Sequence, residues 1–311
     1  MSRLILPAVG GEPVLEKDYD LTLGPGDVRV AVDAAPINPA DHLFMQGWFG
    51  VYPQVPAPLG GEGAGRVVAA GSSADQSLVG QQVIILPTFT HGSWADEVVV
   101  PATGVIPVSG DPRQLAMLPV NPATAYALLN DYVSLSPGDW IGVGLANSAV
   151  GRAVIALARR SGIKVLALVR SESAAESVDA DVVVIGDGDV PAALGSSRLR
   201  AFFDGGSPDL SAVVPAIADG GTVVTYSAVT GQPPVVPLAD LIYRGISLRS
   251  FFILRWLELT PRDRLVSVYT SLAALLADGT LGTPVAGTYQ LADYRDALAH
   301  SGRASKILFT R

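Results

Sequence analysis

The segment from Pro137 to Arg170 is the part of this 311-residue chain that most limits its possible folds. A short apolar run, Trp140 to Val143, follows a Pro-Gly-Asp turn and precedes residues 150–158, whose apolar members recur at spacings of three and four. That order predicts a buried strand followed by an amphipathic helix. Gly162 is typical of a helix end, and the apolar run from Ile163 to Val169 predicts a second, parallel strand.

The turn between the first strand and the helix reads GLANSAVG from Gly144 to Gly151. Small residues in such a turn let the backbone approach a pyrophosphate, and a helix N-terminus favours negative charge. Ser148 and Ala149 stand where glycines are commoner, so the strand-helix-strand context supports a nucleotide site more than the string itself does. A packing turn without a nucleotide is the alternative.

The end of the second strand indicates which nicotinamide cofactor is favoured. NAD-binding proteins place an Asp or Glu there to accept from the ribose 2′-hydroxyl, whereas a cation accommodates the 2′-phosphate of NADP. Arg170 occupies this position and is followed by Ser171, which favours NADPH. Glu172 keeps NADH open, and an ordinary surface charge is the alternative role for Arg170.

Composition excludes several functional classes. The chain has 49% hydrophobic and 16% charged residues, and its length suggests two domains with sizeable cores. A net charge of −8 without a Lys/Arg run disfavours nucleic-acid partners. No apolar stretch is long enough to span a membrane and the N-terminal segment lacks a signal-peptide core, so we expect a cytoplasmic protein without a membrane partner.

Metal and disulfide chemistry are not expected either. The chain contains no cysteine, which removes disulfides, thiolate metal sites and cysteine nucleophiles together. Its three histidines, His42, His91 and His300, share no ligand spacing, so each is expected to be a surface or loop residue.

The pattern of elements changes along the chain. Residues 27–110 read as short strands separated by Gly- and Pro-rich turns, which predicts a mostly antiparallel β domain. Helix and strand then alternate, the signature of a parallel sheet, and a last helix and strand after Pro261 are expected to return to the first domain. We therefore predict an α/β fold with a Rossmann doubly wound parallel-sheet domain, residues 119–255, inserted in a β domain formed by residues 1–118 and 256–311.

Several separated segments carry a family resemblance. They are INPADHLFMQG at Ile37 to Gly47, LGGEGAGRVVAAG at Leu59 to Gly71, VNPATAYALL at Val120 to Leu129, ANSAVGRAVI at Ala146 to Ile155, GGTVVTYSA at Gly220 to Ala228, RSFFILRW at Arg249 to Trp256 and SKILFT at Ser305 to Thr310. Over nearly its full length the chain resembles the medium-chain dehydrogenase/reductase superfamily. Within it, the chain is similar to the zinc-independent, quinone-oxidoreductase-like branch and its mitochondrial-type trans-2-enoyl-thioester reductases.

The resemblance implies a GroES-like β domain, an NADPH site and a homodimer paired through strands in residues 233–252. The implied cofactor contacts are Asn121, the pyrophosphate turn Asn147, Ser148, Ala149 and Val150, Arg170 on the 2′-phosphate side, Tyr226, Ser227, Ala228 and Val229 near the ribose and nicotinamide, Phe251, Phe252 and Ile253 beside the nicotinamide, and Lys306. Without the resemblance, Tyr226 would be a core aromatic whose hydroxyl bonds the backbone, and Lys306 a solvated side chain.

The sequence departs from the zinc-dependent relatives of this superfamily. Where those place a Gly-His-Glu segment and a cysteine set, this chain has Gly60-Gly61-Glu62 and no cysteine. A lone carboxylate does not hold catalytic zinc, so Glu62 is expected to be structural or a loop carboxylate.

The chemistry that the resemblance implies is NADPH-dependent reduction of an activated C=C bond in an unsaturated carbonyl or acyl-thioester substrate. Hydride goes to the β-carbon and a proton to the α-carbon, and the enoyl reductases supply that proton from a tyrosine after a QG dipeptide. This chain has Phe49 at that position. Three interpretations stay open: Tyr52 is the donor, water or a substrate group is the donor, or the substrate is a quinone or small enone. A catalytically degraded protein that only binds NADPH is a further alternative.

Aromatic residues predict an apolar substrate pocket. Trp48, Phe49 and Phe89 are its expected members, extended by Phe251 and Phe252. Such a slot suits an acyl chain or an aromatic ring. Trp256 is expected to belong to the core instead.

Overall fold

A computed structural model of the chain describes residues 1–186, 188–206, 210–300 and 305–311. These residues form two compact units. One comprises Met1–Ala123 with Leu257–Arg311, and we call it the β unit. The other, Thr124–Trp256, is the α/β unit.

The elements are as follows within the described residues. The strands are β1 (Ser2–Leu6), β2 (Val14–Lys17), β3 (Asp27–Ile37), β4 (Ala57–Pro58), β5 (Gly63–Ala70), β6 (Gln82–Ile85), β7 (Glu97–Pro101), β8 (Val105–Pro107), β9 (Trp140–Val143), β10 (Lys164–Val169), β11 (Val182–Ile185), β12 (Leu199–Asp204), β13 (Ile217–Thr225), β14 (Ser247–Ser250), β15 (Val285–Tyr289) and β16 (Lys306–Thr310). The helices are α1 (Pro39–Met45), α2 (Pro112–Leu115), α3 (Asn121–Asn130), α4 (Ala149–Arg160), α5 (Glu172–Ala175), α6 (Val190–Leu194), α7 (Leu238–Tyr243), α8 (Ile253–Leu259), α9 (Arg262–Ala277) and α10 (Tyr294–His300). Across the described ranges, no helix combines the length and the apolar character needed to cross a bilayer.

The α/β unit contains a six-stranded, fully parallel sheet in the order β11-β10-β9-β12-β13-β14. Counted from β9 as the first strand, this is the order 3-2-1-4-5-6 of the doubly wound dinucleotide-binding fold. The predicted Rossmann sheet is therefore confirmed. The strand order reverses between β9 and β12, and ligands of open α/β sheets lie beyond the carboxyl ends of the strands at such a point.

The sequence explains why these strands are central. β12 is buried at five of its six positions, and Phe202 and Phe203 are fully buried. A strand covered on both faces needs a continuous apolar run, which residues 141–143, 165–169 and 201–203 provide within β9, β10 and β12. Gly142 in β9 makes room for Phe202, because a Cβ there would lie 2.6 Å from the Phe202 ring.

Helix α4 begins and ends where the sequence predicts. The Ser148 hydroxyl caps its first turn by accepting from the Gly151 N–H at 3.1 Å. Gly162 follows the helix with φ of +69°, a left-handed conformation that favours glycine.

The β unit contains a larger sheet with strand order β15-β16-β3-β5-β6-β8, to which β7 adds by pairing with β3, and a three-stranded sheet of order β2-β1-β4. All of these pairs are antiparallel except β15 with β16. The mostly antiparallel β domain is therefore confirmed. The last strand, β16, returns to pair with β3, with Ile307 opposite Ile37, as expected.

The pairing of three adjacent strands brings distant residues to one edge of this sheet. β3 ends at Ile37, whereas β5 and β16 begin at Gly63 and Lys306, and both run antiparallel to β3. The residue after β3, Asn38, and the residue before β5, Glu62, therefore meet beside the first residue of β16.

Candidate functional site

The turn between β9 and α4 has the features of an anion-binding turn. Gly144 donates its N–H to the Phe203 carbonyl at 2.9 Å, which joins the turn to β12 across the point of strand-order reversal. Leu145 has φ of +49°, a strained conformation for a residue with a side chain. The 12-residue helix α4 then begins, and its first N–H groups lack intrahelical acceptors.

Gly151 makes the turn tight. A Cβ at this position would lie 2.5 Å from the Ala146 carbonyl oxygen, a backbone atom that does not yield as a flexible side chain would. The glycine therefore allows the helix to pack directly on the strand, which is one of the roles of glycine in dinucleotide turns.

The hydroxyl of Tyr226, just beyond β13, is buried and has no hydrogen-bond partner among the described residues. A Cβ on Gly205 would lie 2.9 Å from this hydroxyl and 2.9 Å from the Gly144 carbonyl oxygen, so the hydroxyl lies beside the turn. Burial, and then the Asp204 carboxylate, raise the pKa of Tyr226 well above its ordinary value. The nearby Ser148 hydroxyl has a smaller, opposite effect on this pKa, but the two hydroxyl groups do not have the geometry of a hydrogen bond. The phenol is thus a neutral donor, and it lacks the backbone partner that the alternative of a core tyrosine would give it among the described residues.

These observations test whether the residues present fit a nicotinamide dinucleotide. An unpaired buried hydroxyl costs about 1–3 kcal/mol, and a ligand oxygen would satisfy it. Together with the α4 N-terminus and the glycine-restricted backbone at Gly151 and Gly205, it provides donors at the strand-order reversal where the fold class binds such ligands. The residues fit the cofactor, although its contacts with Asn147, Ser148, Ala149 and Val150 stay predictions.

Arg152 was not singled out from the sequence but holds the turn in place. Its Nε donates to the Asn147 carbonyl at 3.0 Å, and its guanidinium also donates to the Ser177 carbonyl. Val150 is buried, whereas Asn147, Ser148 and Ala149 are half-buried. The position of Arg152 on the polar face of the first turn of α4 is the sequence feature that could have identified it.

Arg170 lies at the end of β10 and is exposed. Beside it, the Ser171 hydroxyl caps α5 by accepting from the Ala174 N–H at 3.3 Å and lies 3.1 Å from the Ser173 hydroxyl. A cation next to two hydroxyl groups suits a phosphate. Glu172, also exposed, is the one acidic residue in the first turn of α5.

The loop after β13 stays at the carboxyl end of the sheet. Ser227 is half-buried, Ala228 and Val229 are exposed, and the Val229 N–H lies 3.4 Å from the Ser227 hydroxyl oxygen. Phe251 belongs to the same end, because its N–H donates to the Thr225 carbonyl at 2.8 Å.

The aromatic residues after β14 pack mainly within the α/β unit. The Phe251 ring is buried and packs edge-on against Tyr132 with centroids 5.3 Å apart. Ile253 is buried and Phe252 half-buried. Trp256 is buried and its indole N–H donates to Asp131 Oδ2 at 2.7 Å, so its expected place in the core is confirmed.

The β unit contains a second polar site that the sequence did not predict as a whole. Five side chains in it, which we call the buried polar cluster, are each at most 9% exposed: Asn38, Asp41, Glu62, Asn121 and Lys306. Asp41 accepts from the backbone N–H groups of Asn38 at 2.7 Å and Gly61 at 3.0 Å. The spacing of Asn38 and Asp41, with Pro39 between them, is typical of a helix start and was the available signal.

Glu62 is the most connected member of the buried polar cluster. Its two carboxylate oxygens accept from Asn38 Nδ2 and from the Val120 N–H, both at 2.8 Å. The Asn38 Oδ1 atom in turn accepts from Lys306 Nζ and, at 3.3 Å, from Asn121 Nδ2. The alternative of a solvated Lys306 is therefore wrong, because its ammonium group is buried against the Asn38 amide.

Burial dominates the titration of these groups. It raises the pKa of Asp41 to about 7, against the opposing effect of the two backbone N–H donors and of Lys306. It likewise raises the pKa of Glu62, which Lys306 and Asn38 oppose, and lowers the pKa of Lys306, which Glu62 and Asp41 oppose. Two carboxyl groups and one amine thus interact electrostatically within the buried polar cluster.

Of the residues predicted to line a substrate pocket, the structure brings Phe49 and Phe89 together. Their ring centroids are 4.4 Å apart, and Phe89 also lies 5.3 Å from Phe44. Phe89 has φ of +57°, which places its ring over Gly61, where a Cβ would lie 2.6 Å from it. Trp48, by contrast, is 72% exposed.

Tyr52, the predicted proton donor, is 65% exposed in the loop that follows. Its ring packs along Gly47, since a Cβ there would lie 3.3 Å from Tyr52 Cε2. Gly47 has φ of +76° and so takes a conformation that suits glycine. Among the described residues, no group of three or more His, Asp or Glu side chains is placed to hold a metal ion.

Known proteins share sequence with this chain over most of its length. The model of the alcohol dehydrogenase GroES-like domain matches residues 24–110. The human mitochondrial enoyl-[acyl-carrier-protein] reductase is 33% identical over 290 residues, which cover 88% of this chain and 78% of that protein. Its counterpart in Arabidopsis thaliana is 31% identical over 82% of this chain and 72% of that protein.

Solved structures share the fold over the whole chain. A quinone oxidoreductase of Pseudomonas syringae superposes with a TM-score of 0.85 at 22% identity, covering 100% of this chain and 99% of the other. The Etr1p/NADP/crotonyl-CoA complex superposes with a TM-score of 0.84 at 22% identity and the same coverage.

Proposed function

Since the chain belongs to the medium-chain dehydrogenase/reductase superfamily of oxidoreductases, we propose that it is an NADPH-dependent reductase of activated C=C bonds. Trans-2-enoyl thioesters are its first substrate class, and the relatives named as enoyl-[acyl-carrier-protein] reductases over most of the chain support that choice. Quinones or small enones are the second class, supported by the shared fold of a quinone oxidoreductase.

The observation that carries the proposal is the buried, unpaired Tyr226 hydroxyl beside the turn at the strand-order reversal. It donates to the cofactor together with the N-terminal N–H groups of α4, which favour the negative charge of a pyrophosphate. Arg170 favours NADPH over NADH, because its charge lies at the end of β10, where the 2′-phosphate of NADP is bound in this fold.

When bound, NADPH supplies the hydride that reduces the β-carbon. The chain's own residues bind and orient the reactants and handle the proton. Phe49 and Phe89 form an apolar surface that excludes water and suits an acyl chain or a flat ring. Phe49 has no proton to give, so Tyr52, with an exposed hydroxyl three residues later, is the proposed donor to the α-carbon.

The function is tested by following nicotinamide absorbance with NADPH and crotonyl-CoA, and separately with NADPH and a quinone. Faster turnover of crotonyl-CoA supports the enoyl reductase, whereas turnover of the quinone alone moves the protein to the second class. Tight NADPH binding without turnover of either would refute both activities and leave a cofactor-binding protein.

The role of Tyr52 is tested in the active protein. A general acid contributes a factor of about 10² to 10⁴ in rate, so Tyr52→Phe is expected to slow crotonyl-CoA reduction by that order while leaving NADPH binding unchanged. An unchanged rate would assign the proton to water. Tyr289→Phe, which removes an exposed hydroxyl 2.7 Å from His300 Nδ1 in the same unit, is the matched control.

We also propose that the protein is a homodimer paired through the α/β unit. β14 is the last strand of its sheet and all four of its residues are exposed, so one row of backbone groups is open to a further strand. The neighbouring helix α7 exposes Leu238 by 69%, Ile242 by 61% and Tyr243 by 84%. Sedimentation equilibrium of the wild type and of Ile242→Glu tests this, and a monomeric wild type would refute it.

A further inference from the structure

Arg152 lies where helix α4 meets two other segments of the α/β unit. Its Nε donates at 3.0 Å to the carbonyl of Asn147, in the turn before α4. Its guanidinium also donates to the carbonyl of Ser177, in the segment between α5 and β11, and the side chain is half-buried. A guanidinium presents its N–H groups in a planar fork, so this one arginine joins two separate stretches of backbone.

The first of these contacts prepares the turn for an anion. Of the four N–H groups that a helix begins with and that lack an intrahelical acceptor, Ser148 and Gly151 donate theirs within the turn, at 2.8 and 3.1 Å. The other two belong to Ala149 and Val150, and they are the donors that a phosphate would meet. The arginine meanwhile engages the Asn147 carbonyl oxygen, whose partial negative charge would repel a phosphate in the same turn.

The charge of Arg152 stands where a helix by itself does not favour a cation. The first four residues of α4 read AVGR, so the first turn carries a positive charge and no acidic residue, in a chain whose net charge is −8. A helix N-terminus favours anions, and it repels a guanidinium unless an anion is bound beside both. The buried, unpaired Tyr226 hydroxyl beside the same turn is a further donor, so the two observations together indicate an anionic ligand.

The second contact reaches the segment that follows Arg170. The Ser171 hydroxyl caps α5 by accepting from the Ala174 N–H at 3.3 Å, and the Ser177 hydroxyl donates to the Ala174 carbonyl at 2.7 Å. Helix α5 has only four residues, too few for a helix to be stable by itself. The bond from Arg152 to the Ser177 carbonyl therefore fixes a segment whose other end lies beside Arg170.

We propose that Arg152 is a positioning residue for the dinucleotide, joining the turn that binds its pyrophosphate to the segment that binds its 2′-phosphate. The inference rests on the proposed function, in which NADPH binds at the carboxyl end of the parallel sheet. Both parts belong to the α/β unit, and fixing them before the cofactor binds lowers the entropic cost of binding. NADPH and NADH share the pyrophosphate but not the 2′-phosphate, so loss of Arg152 weakens the binding of both and weakens NADPH more.

Titration of protein fluorescence with NADPH and with NADH tests this proposal. Arg152→Ala is expected to weaken NADPH binding about 10- to 50-fold and NADH binding about 5- to 10-fold, the effect of losing two and one charged hydrogen bonds. Arg159→Ala is the matched control, because Arg159 anchors the same segment by donating to the Asp179 carbonyl at 2.7 Å, nearer the other end of α4. This exposed arginine is expected to change either dissociation constant less than about 2-fold. Equal losses for the two dinucleotides in Arg152→Ala, or the same losses in Arg159→Ala, would overturn the proposal.

Arg152→Lys separates position from charge. It keeps the positive charge but lacks the planar fork that reaches both carbonyl groups. NADPH binding is expected to weaken about 5-fold while its dependence on salt concentration stays that of the wild type. Wild-type affinity in Arg152→Lys would overturn the positioning role. Thermal unfolding without cofactor reports whether Arg152→Ala folds, and Arg152→Lys takes its place in the comparison of dinucleotides if it does not.

The same titrations distinguish this proposal from the proposed function. A wild type that binds NADPH but reduces neither crotonyl-CoA nor a quinone refutes the proposed activity, while the variants still decide the role of Arg152. An active wild type whose affinities are unchanged in Arg152→Ala refutes the positioning role alone. A wild type that binds neither dinucleotide refutes both.

Discussion

In the β unit, Asn38, Glu62 and Lys306 are buried with their polar groups bound to one another, whereas in the α/β unit the buried hydroxyl of Tyr226 has no partner among the described residues. Both sites lie at the ends of strands, yet one is complete without a ligand and the other is not. Buried polar groups that are fully paired hold a structure in one arrangement, while an unpaired one costs free energy until something binds it. The comparison therefore separates residues that position from residues that bind.

The largest effect is expected at Gly151, where the turn has no room for a side chain. Gly151→Ala would place a Cβ 2.5 Å from the Ala146 carbonyl oxygen, so helix α4 must shift. We expect a loss of about 2–4 kcal/mol in the free energy of unfolding, together with weaker NADPH binding, measured by denaturation and by titration. Gly26→Ala is the control, because a Cβ there meets nothing within 4 Å. A variant as stable as the control would mean that the turn is not a close-fitting one.

The next largest effect is expected at Arg170 and distinguishes NADPH from NADH as the cofactor of the α/β unit. Arg170→Ala is expected to weaken NADPH binding about 10- to 100-fold, the worth of a charged hydrogen bond to the 2′-phosphate, and to leave NADH binding nearly unchanged. Dissociation constants for both dinucleotides measure this. Equal losses for the two would remove Arg170 from the 2′-phosphate site. Arg160→Ala, an exposed arginine at the end of α4, serves as the control.

The pH dependence of stability tests the β unit. Because burial raises the pKa of Asp41 from 3.8 to about 7, the native state binds more protons than the unfolded state between those values. The free energy of unfolding is then expected to fall by about 1–3 kcal/mol as pH rises through that window. The raised pKa of Glu62 also makes the free energy of unfolding fall as pH rises. The lowered pKa of Lys306 makes it rise with pH, but only between the pKa of Lys306 in the native state and 10.5.

Glu62→Gln removes one of these titrations and should flatten the curve, whereas Glu12→Gln, an exposed carboxylate of the same unit, should leave it unchanged. Urea denaturation at pH 5 and pH 8 provides the comparison. The groups that face Glu62 are Asp41, Lys306 and Tyr269, whose pKa is raised by burial and by the Glu62 charge. A wild-type free energy of unfolding that rises from pH 5 to pH 8 would contradict the raised pKa values of Asp41 and Glu62.

The smallest effect is expected at Tyr226, whose buried hydroxyl has no partner among the described residues. Tyr226→Phe removes a hydroxyl that has no partner without a ligand, so the protein alone should be as stable as the wild type or slightly more stable. NADPH binding should weaken about 5- to 10-fold, and the thermal stabilisation that NADPH provides should shrink accordingly. Loss of stability without cofactor, with unchanged NADPH binding, would show that the hydroxyl is paired within the protein.

Much of the architecture was predictable from local patterns. The run from Trp140 to Val143, the 3.6-residue periodicity of α4 and the glycine after it produced the elements at the positions expected, because a strand covered on both faces and a one-sided helix each require a distinctive order of apolar residues. The return of the last strand to the β unit was predictable for the same reason, since Lys306 to Thr310 read as a strand after a complete α/β alternation.

The polar interior was less predictable. Lys306 in isolation reads as a solvated residue, and only the pairing of β16 with β3 brings it against Asn38 and Glu62, which are 268 and 244 positions away in the sequence. Tyr226 was a cofactor candidate by resemblance. Whether its hydroxyl is paired depends on its neighbours Gly205 and Gly144, which strand pairing brings beside it. The burial and the hydrogen-bond partners of a polar side chain depend on which residues surround it, and strand order determines those residues.

The amino-acid sequence was enough to predict the two architectures, the turn between β9 and α4 and the absence of the cysteines that a thiolate site would need, because hydrophobic period, turn residues and composition are local quantities. The tertiary structure alone decided which polar groups are complete and which need a ligand. The hydrogen bonds of the buried polar cluster form because Lys306 and Glu62 meet Asn38 across three strands. The Tyr226 hydroxyl is left unpaired because a turn and a strand end meet at the reversal of strand order.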